Sequence, residues 1–513
     1  VLHMRVIKKD RTTLEPEAVS GKPTVTFPHL EVGDYIETEQ VIFSPSEGHG
    51  EQYLGPRWFF REENVGYARS EFVVISPTSK DLIVETTGKV PEPVVETRDG
   101  LVTHRWRVDY SPAAPTEPGS VPITEFLPSV HIGWGVTLER RLQAIADALA
   151  SLAPVDPRIR AIAENIASPL PASDQLGRAK RLYRWLLDNV EPGDEADGRR
   201  VVVGKHGNLW HGFKMLCRAL DIPVSYAVAQ SRLSPPPEGP LSRAVLFVQP
   251  VARIDATAGA AWLTLGNKYA PFGYVPADVR GMPARLLDDP TRETTVPQQG
   301  GADGISFSGK GQLDAKGELV LELVQEFTGR LAIALRRGLS QVPDRELHDV
   351  LEQNLLAQTL RGGELTKYSV EHRDDVDSPL VIRMSVKVAR FAQSDGKTLV
   401  VSPPLAPDLG AMASLPERQT PLLIPEALHR RIALDISLPA GATIAALGPV
   451  SLNDGDRRVV IQDTQGPGLL EIRRSVDIPA GRVHPEDYPR FARFAQQADD
   501  ALSRTIEVRL HGS

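Results

Sequence analysis

The stretch Gly204-Lys-His-Gly-Asn-Leu-Trp-His-Gly-Phe-Lys-Met-Leu-Cys-Arg-Ala-Leu-Asp-Ile-Pro223 decides how the centre of this 513-residue chain is read. It spells a glycine turn, an amphipathic helix and the start of a strand. Asn208 suits an N-cap, because its side-chain oxygen can accept an otherwise unpaired N–H of the first turn. Leu209, Phe213, Leu216, Cys217 and Leu220 then fall at the i, i+4, i+7, i+8 and i+11 spacing of one helical face. Asp221-Ile-Pro ends the helix, and a β-rich run over 224–228 follows.

Around this centre the composition is that of an ordinary globular chain, with 41% hydrophobic and 24% charged residues. Its length calls for two to four domains at roughly 100–200 residues each. The net charge of −8 is spread along the chain and leaves no basic footprint for nucleic acid. No apolar run approaches the ~20 residues needed to span a bilayer. With 43 prolines, many beside β-like runs, the chain reads as rich in strands and loops. A single cysteine excludes an internal disulfide and a cysteine metal cage. No signal peptide is visible, but the ends, Val1-Leu-His-Met and Gly512-Ser513, read as junctions introduced for expression, so its absence carries no information.

Taken in order, residues 5–130 carry the alternation of half-buried strands, in Thr24-Val-Thr-Phe27, residues 35–42, Glu71-Phe-Val-Val-Ile75, Asp81-Leu-Ile-Val-Glu85 and residues 104–110. Asp99-Gly100, between Val94-Val-Glu-Thr and Leu101-Val-Thr-His, signals a hairpin. Residues 136–190 switch to helical period. One stripe holds Leu138, Leu142, Ile145, Leu149 and Leu152, a second Ile159, Ile162, Ala163 and Ile166, and a third Ala179, Leu182, Tyr183, Leu186 and Leu187. Beyond Val224 come a Pro-rich loop, Ser234-Pro-Pro-Pro-Glu-Gly-Pro240, and an expected strand, Ala244-Val-Leu-Phe-Val248. Residues 300–513 return to strands, interrupted by a helix over 342–360. They close with a helix bearing Tyr488, Phe491, Phe494, Ala495, Ala498 and Leu502, and a strand over 505–510.

Several motifs together resemble the transglutaminase-like (papain-like) superfamily of bacteria, preceded by a β-sandwich of unknown function. The helix Ala179-Lys-Arg-Leu-Tyr-Arg-Trp-Leu-Leu-Asp-Asn-Val190 matches the one that precedes the family's nucleophile. The run Pro271-Phe-Gly-Tyr-Val-Pro276 matches the pattern that ends such domains. For the sandwich, the similar segments are Phe27-Pro-His-Leu-Glu-Val-Gly-Asp-Tyr-Ile-Glu37, Val74-Ile-Ser-Pro77 and Thr116-Glu-Pro-Gly119. The resemblance implies an α+β multidomain protein: an antiparallel β-sandwich over 1–135 with further strands upstream, a transglutaminase-like domain over 136–295, and β-rich modules over 296–405, with a helix, and 406–513. It also implies a periplasmic or otherwise extracytoplasmic location.

The chemistry of that family needs a thiolate at a helix N-terminus, a His base and an acid to orient it. The resemblance puts the cysteine position on Leu209, the His position on Arg243 and the acid position on Thr264. Arginine stays protonated and cannot act as a base at neutral pH. An alternative alignment offers Asp255 for the acid. These substitutions imply a pseudoenzyme of a bacterial cell-envelope assembly, whose inherited groove of Asn208, Trp210, His211, His206 and Asp255 would bind a protein or peptide, or a glycan, or hold the flanking modules together.

Two other functions stay open. A cysteine peptidase or acyltransferase with a rearranged site would use Cys217 with His206 or His211, although Cys217 sits on the apolar stripe, where a buried thiol is ordinarily inert. A carbohydrate-binding β protein would present Trp58, Trp106 or Trp134 as a platform. His206 and His211, five residues apart across a helix start, do not have a zinc-ligand spacing. Gly300-Gly301 and Gly362-Gly363 lack the strand–loop–helix setting of a phosphate loop. No metal and no cofactor are therefore expected.

Overall fold

The computed structural model describes residues 1–18, 24–27, 29–43, 51–150, 154–298, 303–404, 406–445 and 448–510. Pro28, Leu152, Gly300-Gly301 and Gly512-Ser513, all used above, lie outside them. The protein is a β-rich α+β multidomain chain built from several separate sheets.

In its first quarter two three-stranded antiparallel sheets pack together. One orders Tyr67–Pro77, Leu101–Ser111 and Val94–Arg98, the other Tyr53–Phe59, Ser129–Trp134 and Ile83–Thr87. Val74 and Trp106 of the first sheet meet Val130 and Ile132 of the second, with Phe60, in a shared core. Asp99 and Gly100, both at positive φ (52° and 78°), make the turn expected of Asp-Gly. A third small sheet pairs His3–Ile7 with Thr13–Leu14 and Tyr35–Glu39.

Helices and a sheet make up the centre. The helices α1 (Leu138–Ala150), α2 (Pro157–Ala167), α3 (Gln175–Asn189), α4 (Gly198–Gly204) and α5 (Leu209–Ala219) precede most of its strands. A short polar residue starts each of the last four. Asp156, Asp174, Asp197 and Asn208 accept N–H groups that have no partner in the first turn. The expected stripe of α5 is the buried one: Leu209 and Leu220 are 7% exposed, and Phe213, Leu216 and Cys217 are 0% exposed. Burial of a Phe or Leu side chain contributes about 1.5–3 kcal/mol, so this face alone ties α5 firmly into the core. Gly212 lets α4 come close, since a Cβ there would lie 2.9 Å from a methyl of Val201. Gly207 enters the helix at φ 134°, a conformation that favours glycine.

Behind α5 runs a five-stranded antiparallel sheet, ordered Gly259–Leu263, Gln249–Ala256, Val224–Ala229, Pro283–Leu286 and Glu293–Thr295. The expected strand over 244–248 does not form. Pro240–Ala244 is instead a short helix, α6, and the chain turns through Val245 and Leu246 before the strand begins at Gln249. The reason is local capping. Pro240 takes the first helical position, and Ser242 Oγ accepts the N–H groups of Glu238 and Gly239 at 2.9 and 3.0 Å. From the sandwich, Glu85 accepts the N–H groups of Leu241 and Ser242 at 3.0 and 3.1 Å.

Toward the C-terminus one nine-stranded sheet dominates. Gly304–Leu313 pairs antiparallel with Leu319–Thr328 on one side and parallel with Leu428–Ser437 on the other. The stretches on the two sides of residue 405 therefore share a backbone ladder, and Phe307, Leu321, Ile432 and Leu470 share a core. The closing helix, Tyr488–Leu502, buries Tyr488, Phe491, Phe494, Ala495, Ala498 and Leu502, the whole of its expected stripe. Residues 342–360 are helical but irregular, with a π-helical segment at Leu351–Leu356.

Candidate binding cleft

Asn208 builds the start of α5. Its Oδ1 accepts the N–H of Trp210 at 2.9 Å and of His211 at 3.4 Å. The Tyr226 hydroxyl, from the strand behind, donates to the Trp210 carbonyl, and the two rings meet edge to face with centroids 5.2 Å apart. Asn208, Trp210, His211 and Tyr226 thus form one wall of a cleft of ≈ 430 Å³. Its other wall is α1, through Arg141, Ile145 and Leu149, and Val228, Pro250 and Leu287 close it.

The other residues singled out from the sequence do not join this cleft, because the backbone sends each elsewhere. Leu209 points into the core of the helical layer. His206 is an exposed residue of a two-residue strand that pairs with Glu191–Pro192. Arg243 lies on α6, not on a strand. Thr264 follows the strand Gly259–Leu263, and its N–H bonds to the Tyr274 carbonyl at 3.1 Å. Asp255 alternates away from α5: Ala252 and Ile254 face the helices, whereas Asp255 pairs with Arg253 at 2.7 Å. The guanidinium of Arg253 in turn lies over Trp262.

Cys217 is 0% exposed, and burial pushes its thiol well above the ordinary range, so the thiolate is suppressed. The three tryptophans do not form a common platform. Trp106 is 1% exposed in the sandwich core, Trp58 stacks on Phe72, and Trp134 packs against Tyr53 with centroids 4.6 Å apart. Among the described residues no cluster of His, Cys, Asp or Glu is placed to hold a metal ion. Nor is any described helix long and apolar enough to cross a membrane.

Sequence reasoning missed the α1 wall and also Tyr226, Val228, Pro250 and Leu287. The signal in α1 was a second helical face, Arg141, Ala144, Ile145, Ala148 and Leu149, at i, i+3, i+4, i+7 and i+8. The apolar stripe of α1 places Ile145 and Leu149 in the core, yet both are only half-buried because the cleft lies beneath them.

Comparison with known proteins agrees with a multidomain architecture of this kind. Residues 398–508 match the family described as a domain of unknown function with solved structure, DUF3858. No curated protein matches. Among solved structures, a protein from Parabacteroides distasonis named a "putative protease" superposes with a TM-score of 0.60. The match covers 99% of this chain and 88% of that one at 12% identity, a likeness of fold alone.

Proposed function

We propose that this chain is a non-catalytic relative of the transglutaminase-like superfamily that acts as a binding or scaffolding module in a bacterial cell-envelope assembly. One observation carries the reading. The helix start that would present a nucleophile presents Leu209, 7% exposed and packed in the core. The neighbour's name points toward proteolysis, but a cysteine mechanism here would need Cys217, which burial keeps protonated two turns along the helix. What is left at the helix start is a cleft with an aromatic and apolar wall, a shape suited to holding a ligand.

The extracytoplasmic location rests on the resemblance alone. As for organisation, the sandwich and the helical domain meet where Glu85 caps α6 and where Leu54 and Ile83 pack with Leu241 and Ala244. Strands from both C-terminal segments, 296–405 and 406–513, pair in a single sheet, which supports a close association of the two.

Turnover tests the reading. The native chain, incubated with peptide amides and γ-glutamyl amides, is expected to release no ammonia or amine above a heat-denatured control. Release that disappears in Cys217→Ala would replace the binding module with an enzyme.

A further inference from the structure

Two polar groups on the cleft lack a partner among the described residues. His211 is a lining residue of the cleft at 6% exposure, and its Nδ1, itself closed off from solvent, has no hydrogen-bond partner. A buried polar nitrogen left in that state carries its full desolvation cost, and native structures seldom leave one without reason. Arg141 lines the same cleft from α1, and its guanidinium meets no carboxylate among the described residues. Among the described residues no Asp or Glu lines the cleft, so its charge is of one sign. The rest of the lining is mostly apolar, with Ile145, Leu149, Val228 and Leu287 contributing to it. Its volume of ≈ 430 Å³ suits a small molecule, within the ~300–1,000 Å³ usual for such sites. A second hollow of ≈ 240 Å³ shares Leu149, Tyr226 and Leu287 but is lined as well by Asp147, Lys214 and Asp288, so the single-sign charge belongs to the first cleft alone.

We propose that this cleft binds a small amphiphilic carboxylate of the medium-chain fatty-acid class. Its carboxylate pairs with Arg141 and accepts from the His211 imidazole, and its alkyl tail lies against Ile145, Leu149, Val228 and Leu287. The charge of the lining selects an anionic head over a neutral or cationic one, and the apolar walls select an alkyl tail over a sugar. This rests on the non-catalytic reading, since it assigns the helix start to binding.

Calorimetry on the full chain with octanoate, decanoate and 1-decanol tests it. Decanoate should bind about fifteenfold more tightly than octanoate, because each of its two added methylenes strengthens binding by about fourfold. It should also bind at least about tenfold more tightly than 1-decanol, which lacks the charge; tenfold is about 1.4 kcal/mol. Arg141→Gln, on a half-buried helical position, should weaken decanoate about tenfold and leave 1-decanol unchanged, and Arg141→Lys should recover most of the loss. Equal affinity for decanoate and 1-decanol, wild-type affinity in Arg141→Gln, or no decanoate binding would each overturn the assignment. The last result, in a chain without amide turnover, leaves the non-catalytic reading standing; amide turnover sinks that reading even where decanoate binds.

Discussion

Removing the Glu85 carboxylate should loosen the joint between the sandwich and the helical domain. Glu85 is 6% exposed and its Oε2 accepts two backbone N–H groups of α6, at 3.0 and 3.1 Å. Its Oε1 lies 3.4 Å from Arg57 Nη2, so removing the carboxylate also takes a counter-charge from a partly buried arginine. Hydrogen bonds to a charged group contribute about 1.5–3 kcal/mol each, and water entering the space recovers part of their loss. Glu85→Ala should therefore cost about 3 kcal/mol, and Glu85→Gln, which keeps one acceptor, about half of that. In urea, a slope of ~3 kcal/mol per molar translates the larger loss into a midpoint about 1 M lower. Because a multidomain chain need not unfold in one step, the transition should be followed by fluorescence and by circular dichroism together. A Glu85→Ala midpoint within about 0.2 M of wild type would refute the role of Glu85 as the cap of α6.

Two further tests concern single charges. Arg474 and Asp463 form a buried pair, 2% and 5% exposed, closed by Nε and Nη2 onto the carboxylate at 3.0 and 2.5 Å. Asp463→Asn strands the arginine charge and should destabilise the C-terminal body by about 3–5 kcal/mol in thermal melts, whereas a loss under about 1 kcal/mol would mean that water reaches the pair. Asp197 caps α4, and the Arg199 guanidinium beside it, aided by backbone N–H groups, pulls its carboxyl down to about 2 against the opposing effect of burial. A folded-state value below the unfolded one, ~3.9, means the contribution is present above about pH 4 and lost as the pH falls through about 2. The stability difference between wild type and Asp197→Asn should accordingly be flat above about pH 5 and close between about pH 4 and 2; a difference that closes near pH 6 would point to another group.

Where one periodicity governs an element, the sequence was sufficient. The stripes of α5 and of the closing helix are buried residue for residue, and the Asp-Gly hairpin turns where expected. It was not sufficient where capping competes with pattern. The apolar run of residues 244–248 looked like a strand, but Pro240, Ser242 and the distant Glu85 stabilise a helical turn just before it, and only the folded chain brings Glu85 there. The parallel pairing across residue 405 was illegible for a similar reason, since strands about a hundred residues apart leave no local trace of their partnership. Within the candidate groove, Asn208, Trp210 and His211 come together because they share one helix start. Asp255 does not join them, because the period-two alternation of its strand turns it to the opposite face.

The reading of the helix start as a binding site depends on the absence of a usable nucleophile beside α5, and the reactivity of Cys217 reports on this directly. A thiol 0% exposed in the core reacts only when the surrounding structure opens. With a stability of at least about 5 kcal/mol, native-state labelling by a thiol-directed electrophile should be at least about 10³-fold slower than labelling of the denatured chain. Mass spectrometry of timed aliquots would give both rates. Native labelling that is slowed to this degree, and that accelerates in step with added urea, is the predicted result; stoichiometric labelling of the native protein within seconds would contradict it.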